Sequence, residues 1–571
     1  MVSSFRRKWP TFMKYAAIGF TAFIFSAAPV SAQDAKQQQI DALKAQVEAQ
    51  GQQIQKLLQL VEHQKSLPAV VPVEMQPPST ASQPEDVRKV VEKVLKEKDD
   101  AKKADDEKKK REAADKGHEV GSDLKMSANW DKGPRFETAE KDFTAKIGGR
   151  INYDTVFWNA SDRMQLPGSP SVNPTKTGVG AGVGQLDDGM FIRRARIEMV
   201  GTFYEQFEYQ FEVDFETLNV ISYDHVWVGM KDVPGLGTIR VGQQKVPMVL
   251  ESYSSSKNLM FLERSCLFDA FWNEFAPGIY FTNTMFEERA TWHAMLHRIE
   301  FNNPASGGDF GDGDYAVTGR VTALPWYEND GRCLVHVGAS YQWRRADLGR
   351  TTASTTPAIN AYADQRGVVI FRDRPELRDA VGSGANAEGD STRFVSTGNI
   401  IADNVQTVNG EFLAIQGPLT IQSEITAAQV ANARYPATAA NTNRGTPEFW
   451  GMYAEVGYCL TGENRGYDRR FGSVGTIKPY EPVFAVRDED GCYHSGSGAW
   501  ELCYRFSFLD LNDTGSNILG GRLTENTVGI NWWLTQNMRL QANYLNIYRD
   551  VPSPATTGTV HALGLRAIVE F

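Results

Sequence analysis

From about residue 143 onward, apolar and polar side chains alternate with a period of two. In 143–157, Phe143, Ala145, Ile147, Gly149, Ile151 and Tyr153 fall on one face, and Thr144, Lys146, Gly148, Arg150, Asn152 and Asp154 on the other. Segment 207–216 repeats the pattern, with Phe207, Tyr209, Phe211, Val213 and Phe215 set against Glu208, Gln210, Glu212, Asp214 and Glu216. Period two belongs to a β-strand, whose successive side chains point to opposite faces. Strands of soluble sandwiches average about 5–6 residues. Runs this long, with charge gathered on one face, fit a barrel that turns its apolar face to lipid and its polar face to a lumen.

Sixteen such segments are predicted, beginning near residues 143, 190, 206, 221, 237, 277, 289, 314, 333, 409, 418, 448, 498, 523, 537 and 559. An even number suits antiparallel closure with both chain ends on one side. On that parity, 158–188, 246–275, 346–408 and 428–447 are outward loops. Short turns such as 204–206 and Gly417-Pro418 face the periplasm, as does the long segment 461–497. In the last strand His561, Leu563, Leu565, Ala567, Val569 and Phe571 share one face, while Arg566 and Glu570 share the other. An aromatic residue closing such a strand looks like the recognition signal of outer-membrane barrel assembly.

The first third of the chain reads differently. Arg6, Arg7, Lys8 and Lys14 precede a short apolar stretch from Tyr15 to Ala28, and Val30-Ser31-Ala32 is a small-residue cleavage site, so 1–32 is expected to be a secretory signal peptide. In 33–66 a heptad seam has Ile40, Val47, Ile54 and Val61 at a and Leu43, Gln50 and Leu57 at d. About three heptads is the minimum for a coiled coil, and a lone amphipathic helix competes with it. β-Branched a with Leu at d favours two strands. Residues 67–120 read as a Pro-rich and then charged linker with a short helix near Val87–Leu95, and 140–571 as the barrel. The expected fold is therefore all-β: a 16-stranded antiparallel transmembrane β-barrel preceded by an N-terminal α-helical coiled coil and linker.

Composition adjusts this picture slightly. The mean hydropathy of −0.39 is that of a soluble chain, and alternation explains it, since averaging over a barrel strand hides its lipid-facing half. Fifty glycines and 11% aromatics suit tight turns and aromatic girdles. A net charge of −10 argues against nucleic-acid binding. Five cysteines form no CxxC pair, which removes a zinc or redox reading. Bridges Cys459–Cys503 or Cys459–Cys492 are open, and scattered thiols fit the odd count. His293 and His297 share a face without an acidic partner suited to a metal, and His336 points inward as a wall residue. Neither GxSxG nor a P-loop is present, so catalytic residues, metal ligands and cofactors are all expected to be absent.

Several segments, in order, resemble the phosphate-selective porin O/P family. They are Ile192-Arg193-Arg194-Ala195-Arg196-Ile197 with Gly201-Thr202, Val241-Gly242-Gln243-Gln244-Lys245-Val246-Pro247, Phe261-Leu262-Glu263-Arg264-Ser265 and Gly319-Arg320-Val321-Thr322-Ala323-Leu324-Pro325-Trp326. Leu460-Thr461-Gly462-Glu463-Asn464-Arg465, Gly498-Ala499-Trp500-Glu501-Leu502 and Gly529-Ile530-Asn531-Trp532-Trp533-Leu534 continue the likeness, which excludes the coil and linker. The resemblance implies a sixteen-stranded homotrimeric channel for ions and small hydrophilic solutes in the outer-membrane lipid, its third loop folded into the lumen and its LTGE-type segment entering from the periplasm. It makes Arg194, Arg196, Lys257, Glu263, Arg264 and Arg320 the candidate constriction residues. Arginine suits phosphate because its planar fork donates two hydrogen bonds and keeps its charge, but Glu198, Glu208, Glu212, Asp214, Glu251 and Glu263 itself stand against the cations of this set. The plain alternative is that opposite charges on adjacent lumen strands cross-pair and stiffen the wall. A structural tether gripping a periplasmic partner through the coil, and a barrel-borne enzyme or adhesin, are the competing functions. The first would need the coil and not conductance; the second needs a nucleophile and base that the sequence does not offer. The mature protein is expected to begin at Gln33 and to fractionate with the outer membrane; N-terminal sequencing that returns Met1 would refute the signal peptide.

Overall fold

In the computed structural model, sixteen antiparallel strands close into one barrel. They are β1 Thr144–Ala160, β2 Gly189–Phe203, β3 Phe207–Thr217, β4 Val220–Val233, β5 Gly237–Lys245, β6 Phe275–Met285, β7 Ala290–Arg298 and β8 Tyr315–Glu328, followed by β9 Cys333–Arg345, β10 Asn404–Gln416, β11 Leu419–Ala431, β12 Glu448–Cys459, β13 Ala499–Asp513, β14 Ile518–Thr535, β15 Met538–Asp550 and β16 Gly558–Glu570. Each pairs with the next, and β16 pairs back onto β1. The structure describes residues 118–571 apart from 166–181, 184–185, 218–219, 272–273, 299–314, 347–366, 379–392, 436–441, 485, 488–490 and 553–555. The expected signal peptide and coiled coil, and the linker up to residue 117, lie outside the described residues.

The faces follow the alternation. Ile151 is 49% exposed, and Tyr153 and Phe157 are also exposed, whereas Arg150, Asn152 and Asp154 between them are buried. Apolar side chains thus face outward and charged ones inward, the inverse of a water-soluble core. Within lipid every backbone polar group must be satisfied inside the protein, and a closed ladder does this because it has no edge. Closure ends at the last residue: Phe571 N–H donates to the Gly149 carbonyl at 3.0 Å, and Gly149 N–H to the Phe571 carbonyl at 2.7 Å. Gly149 has to be glycine for the Phe571 ring, because a Cβ there would stand 2.6 Å from it.

The strand starts agree with the alternation except at β10 and β14, which begin five residues before the expected 409 and 523. Near their starts Val405 and Ile518 turn into the apolar cluster that holds Phe371 and Phe394, and the outward positions Asn404 and Gln406 are polar, so the apolar-out pattern begins later. Before residue 140 a hairpin not anticipated from sequence, Met126–Trp130 with Pro134–Thr138, pairs onto the start of β1. In β2 a bulge interrupts the register: Asn152 faces Arg194 while Tyr153 faces Ile192. The extra residue is Arg193, so Arg193 and Arg194 both turn inward and the parity of the strand reverses between Ile192 and Ile197. Cys266, Cys333, Cys459 and Cys503 are thiols, so neither bridge from Cys459 forms.

Deleting Phe571, or replacing Gly149 by Leu, should slow formation of the heat-modifiable barrel in refolding assays, because each removes contacts that join the first and last strands. Refolding rates equal to the parent's for both variants would contradict this.

Candidate functional site

The loop joining β5 to β6 folds into the lumen. Its entrance is apolar, and Val246, Met248 and Val249 bury against Ala276, Tyr280 and Met295 of the wall. Two short helices follow, α1 Leu250–Tyr253 and α2 Cys266–Phe271. Glu424 of β11 accepts the N–H groups of Leu250 and Glu251 at 2.7 and 2.9 Å. Glu251 in turn accepts from the backbone and hydroxyl of Ser265. Lys245 Nζ donates to the carbonyls of Ser252 and Ser254 at 2.6 and 2.8 Å. Tyr253 hydroxyl meets Tyr280 hydroxyl at 2.6 Å, and Tyr280 meets His293 Nδ1 at 2.6 Å.

A hairpin, Arg465–Asp468 with Ser473–Ile477, enters from the end of the barrel that carries Phe571. Arg465 makes a two-pronged pair with Glu501 and donates to the Asn258 carbonyl at 2.6 Å. Asn258 Nδ2 donates to the Val474 carbonyl and Val474 N–H to Ser254 Oγ, so hairpin and loop are joined inside the barrel. His336 Nδ1 lies 2.7 Å from Tyr467 hydroxyl. The connection from β9 to β10 also turns inward, and Phe371, Leu377 and Phe394 pack with Phe271, Leu262 and Phe449 into an apolar core.

Charge is unevenly shared around the wall. β10 to β14 each turn one glutamate inward (Glu411, Glu424, Glu455, Glu501 and Glu525), against the inward arginine Arg505. β15, β16, β1 and β2 turn inward Arg539, Arg549, Arg566, Arg150, Arg193 and Arg194, with Arg196 paired to Asp214 and Asp224 beside them. A cavity of about 290 Å³ lies on the β1–β6 side, lined by Arg150, Arg196, Glu198, Glu212, Arg240 and Lys245, with Tyr253, Lys257 and Phe471 facing them.

The expected site residues divide. Arg196 and Lys257 line the cavity. Glu263 sits on the arginine wall: it accepts from Arg193 at 2.8 and 3.0 Å and from Arg566 at 2.6 Å, and lies 3.5 Å from Arg194. Burial alone would push its carboxyl up, but Arg193, Arg194 and Arg566 hold it well below the usual range. Arg264 and Arg320 are brought elsewhere. Arg264 is a strut of its own loop, forked onto Glu274 at 2.7 and 3.1 Å and donating to the carbonyls of Glu251, Ser252 and Ser254. Arg320 is fully buried, bonded to Glu411 at 2.9 Å and to the carbonyls of Phe471 and Gly472. Gly338 provides the space for that pair, since a Cβ there would overlap the Glu411 carboxylate at 2.0 Å. Arg320 is inward, as alternation requires of its strand, but the hairpin fills the lumen before it reaches the open part, and Arg264 is taken up within its own loop. Arg193, Arg150, Arg240 and Lys245 were missed. Arg150 and Lys245 are legible as inward residues of charged strands, whereas Arg193 depends on the bulge.

Comparison with known proteins agrees with this architecture. The family model described as phosphate-selective porin O and P matches residues 180–571. Porin O of Pseudomonas aeruginosa is 23% identical over 445 residues, covering 73% of this chain and 86% of that protein. An uncharacterised protein of Caulobacter vibrioides is 25% identical over 453 residues, covering 77% of this chain and 76% of its own. Among solved structures, the outer membrane channel DcaP of Acinetobacter baumannii aligns over 75% of this chain and 97% of its own, with 11% identity and a TM-score of 0.39. A closed sixteen-stranded barrel with a charged, loop-narrowed lumen and a family match over more than half its length make this chain an outer-membrane channel that belongs to the phosphate-selective porin O and P family.

Proposed function

We propose that the chain forms a homotrimeric diffusion channel for small hydrophilic solutes and ions, with a weak preference for anions and no tight specificity for phosphate. The observation that carries this reading is that each cation along the cavity already has a carboxylate. Lys257 lies 3.0 Å from Glu198, Arg150 3.5 Å from Glu212, Lys245 2.9 Å from Glu274 and Arg240 2.8 Å from Glu208. Arg196 pairs with Asp214, Asp224 and Glu212. A doubly charged anion in a narrow pore needs a positive potential, and five cations against six carboxylates do not supply one. A local anion preference survives because Lys257 and Glu198 are the more open pair, at 26% and 22% exposure. As the most open of these pairs it is the one in which a passing anion can replace Glu198 on Lys257. Discrimination then rests on pore width and lining charge, with binding weak enough for release.

Single-channel reversal potentials test this with opposite signs. Lys257→Gln should lower the chloride-over-potassium permeability ratio, and Glu198→Gln should raise it, each by about fivefold or less, the effect of one charge at about 4 Å in water. A parent channel already selective for potassium would overturn the anion preference. The number three rests on the family resemblance, with the coil held periplasmic and subordinate to the barrel. Removing residues 33–120 should therefore leave trimers in detergent; a monomeric truncated barrel would make the coil the oligomerising device.

A further inference from the structure

The segment between β9 and β10 bears on the glutamate wall in a way that the channel reading does not use. We propose that Phe371–Arg378 is an internal stopper keyed by Glu376, that it closes the glutamate-lined part of the lumen, and that it thereby sets the selectivity of the channel. The proposal rests on the channel reading and names a residue that determines its specificity.

Glu376 sits in a built socket. Its carboxylate accepts from Arg505 Nε at 2.8 Å and Nη2 at 2.5 Å, from Thr527 Oγ1 at 3.1 Å and from Ser507 Oγ. Its backbone N–H donates to Glu525 at 3.0 Å. The socket residues are inward side chains of β13 and β14, and Glu376 itself is buried. Charge pairing continues on either side, with Arg374 and Arg393 both on Asp269 of α2 at 2.6 and 2.9 Å.

The wall is shaped to receive the segment. A Cβ on Gly564 would stand 2.6 Å from the Leu377 side chain, one on Gly521 3.0 Å from Val395, and one on Gly520 3.0 Å from the Thr397 nitrogen. Phe371 packs between Phe271 and Phe449, at ring separations of 5.7 and 5.0 Å. The carboxylate key, the apolar plug and the Gly520 and Gly521 seats lie on the half of the barrel where inward glutamates outnumber inward arginines, while Gly564 seats Leu377 on the arginine-bearing β16. With that half filled, solute is confined to the cavity along β1–β6. Emptying it would expose Glu455 and Glu525, which border the Arg505 socket, and add a path that attracts cations.

The test is planar-bilayer recording of the full chain carrying Glu376→Ala or Glu376→Gln. Loss of the key should raise conductance by about twofold and shift permeability toward potassium, as a carboxylate-lined opening requires; Glu376→Gln, which keeps the shape, should fall between parent and Glu376→Ala. A Ser507→Cys thiol should react with a water-soluble thiol reagent in the Glu376→Ala background and stay protected with Glu376 present, each compared with the same chain lacking the added cysteine. Parent-like conductance and permeability in both variants, or an opening that moves selectivity toward chloride, would overturn the proposal, as would an unreactive Cys at 507 in the Glu376→Ala chain. Failure of the channel reading would appear separately, as absence of conductance in the parent.

Discussion

Filling a barrel with its own loops takes charged side chains out of water, and a guanidinium removed from water has to be met by carboxylates or carbonyl oxygens. Arg505 meets Glu376, Glu251 and Glu455; Arg465 meets Glu501; Arg320 meets Glu411; Arg566 meets Asp154 and Glu263. Removing one member of such a buried pair typically costs about 3–5 kcal/mol because the other charge is stranded. The same pairs hold the loop, the hairpin and the β9–β10 segment in place. The shape of the lumen therefore depends on charge compensation as much as on apolar packing.

This constraint also bears on the proposed selectivity, because most arginines of the lumen are already engaged. An arginine engaged in holding a loop offers little to a passing solute, as Arg264 and Arg320 illustrate. Only where a pair stays partly open, as at Lys257 and Glu198, can a solute take the place of one partner. Permeation and architecture draw on the same residue types, separated by burial.

The sequence reveals the wall better than its filling. Alternation locates all sixteen strands because lipid on one side and polar lumen on the other impose it along the whole length, as in 207–216. The inward loop and the LTGE-type hairpin are recognisable through the family resemblance and not through periodicity. What escapes is the lumen's third dimension. That Arg320 lies behind the hairpin depends on which segment, 151 residues away in the chain, lies over it. That Glu376 reaches Arg505 depends on a connection whose apolar residues, Phe371, Leu377 and Phe394, carry no strand period. Gly338 looks like any strand glycine until Glu411 is seen in the space above it.

The bulge in β2 separates two properties that strand periodicity normally ties together. In a regular stretch of the wall, adding or removing one residue would exchange the lipid and lumen faces of everything beyond it. Where Arg193 and Arg194 stand side by side, the strand already carries the odd residue, and Ile192 and Ile197 face lipid on either side of it. Shortening the chain there by one would restore plain alternation and remove one lumen cation while leaving every lipid-facing side chain on its own face. Length variation at this position would thus change the charge of the passage in single steps without reversing the membrane surface of the barrel.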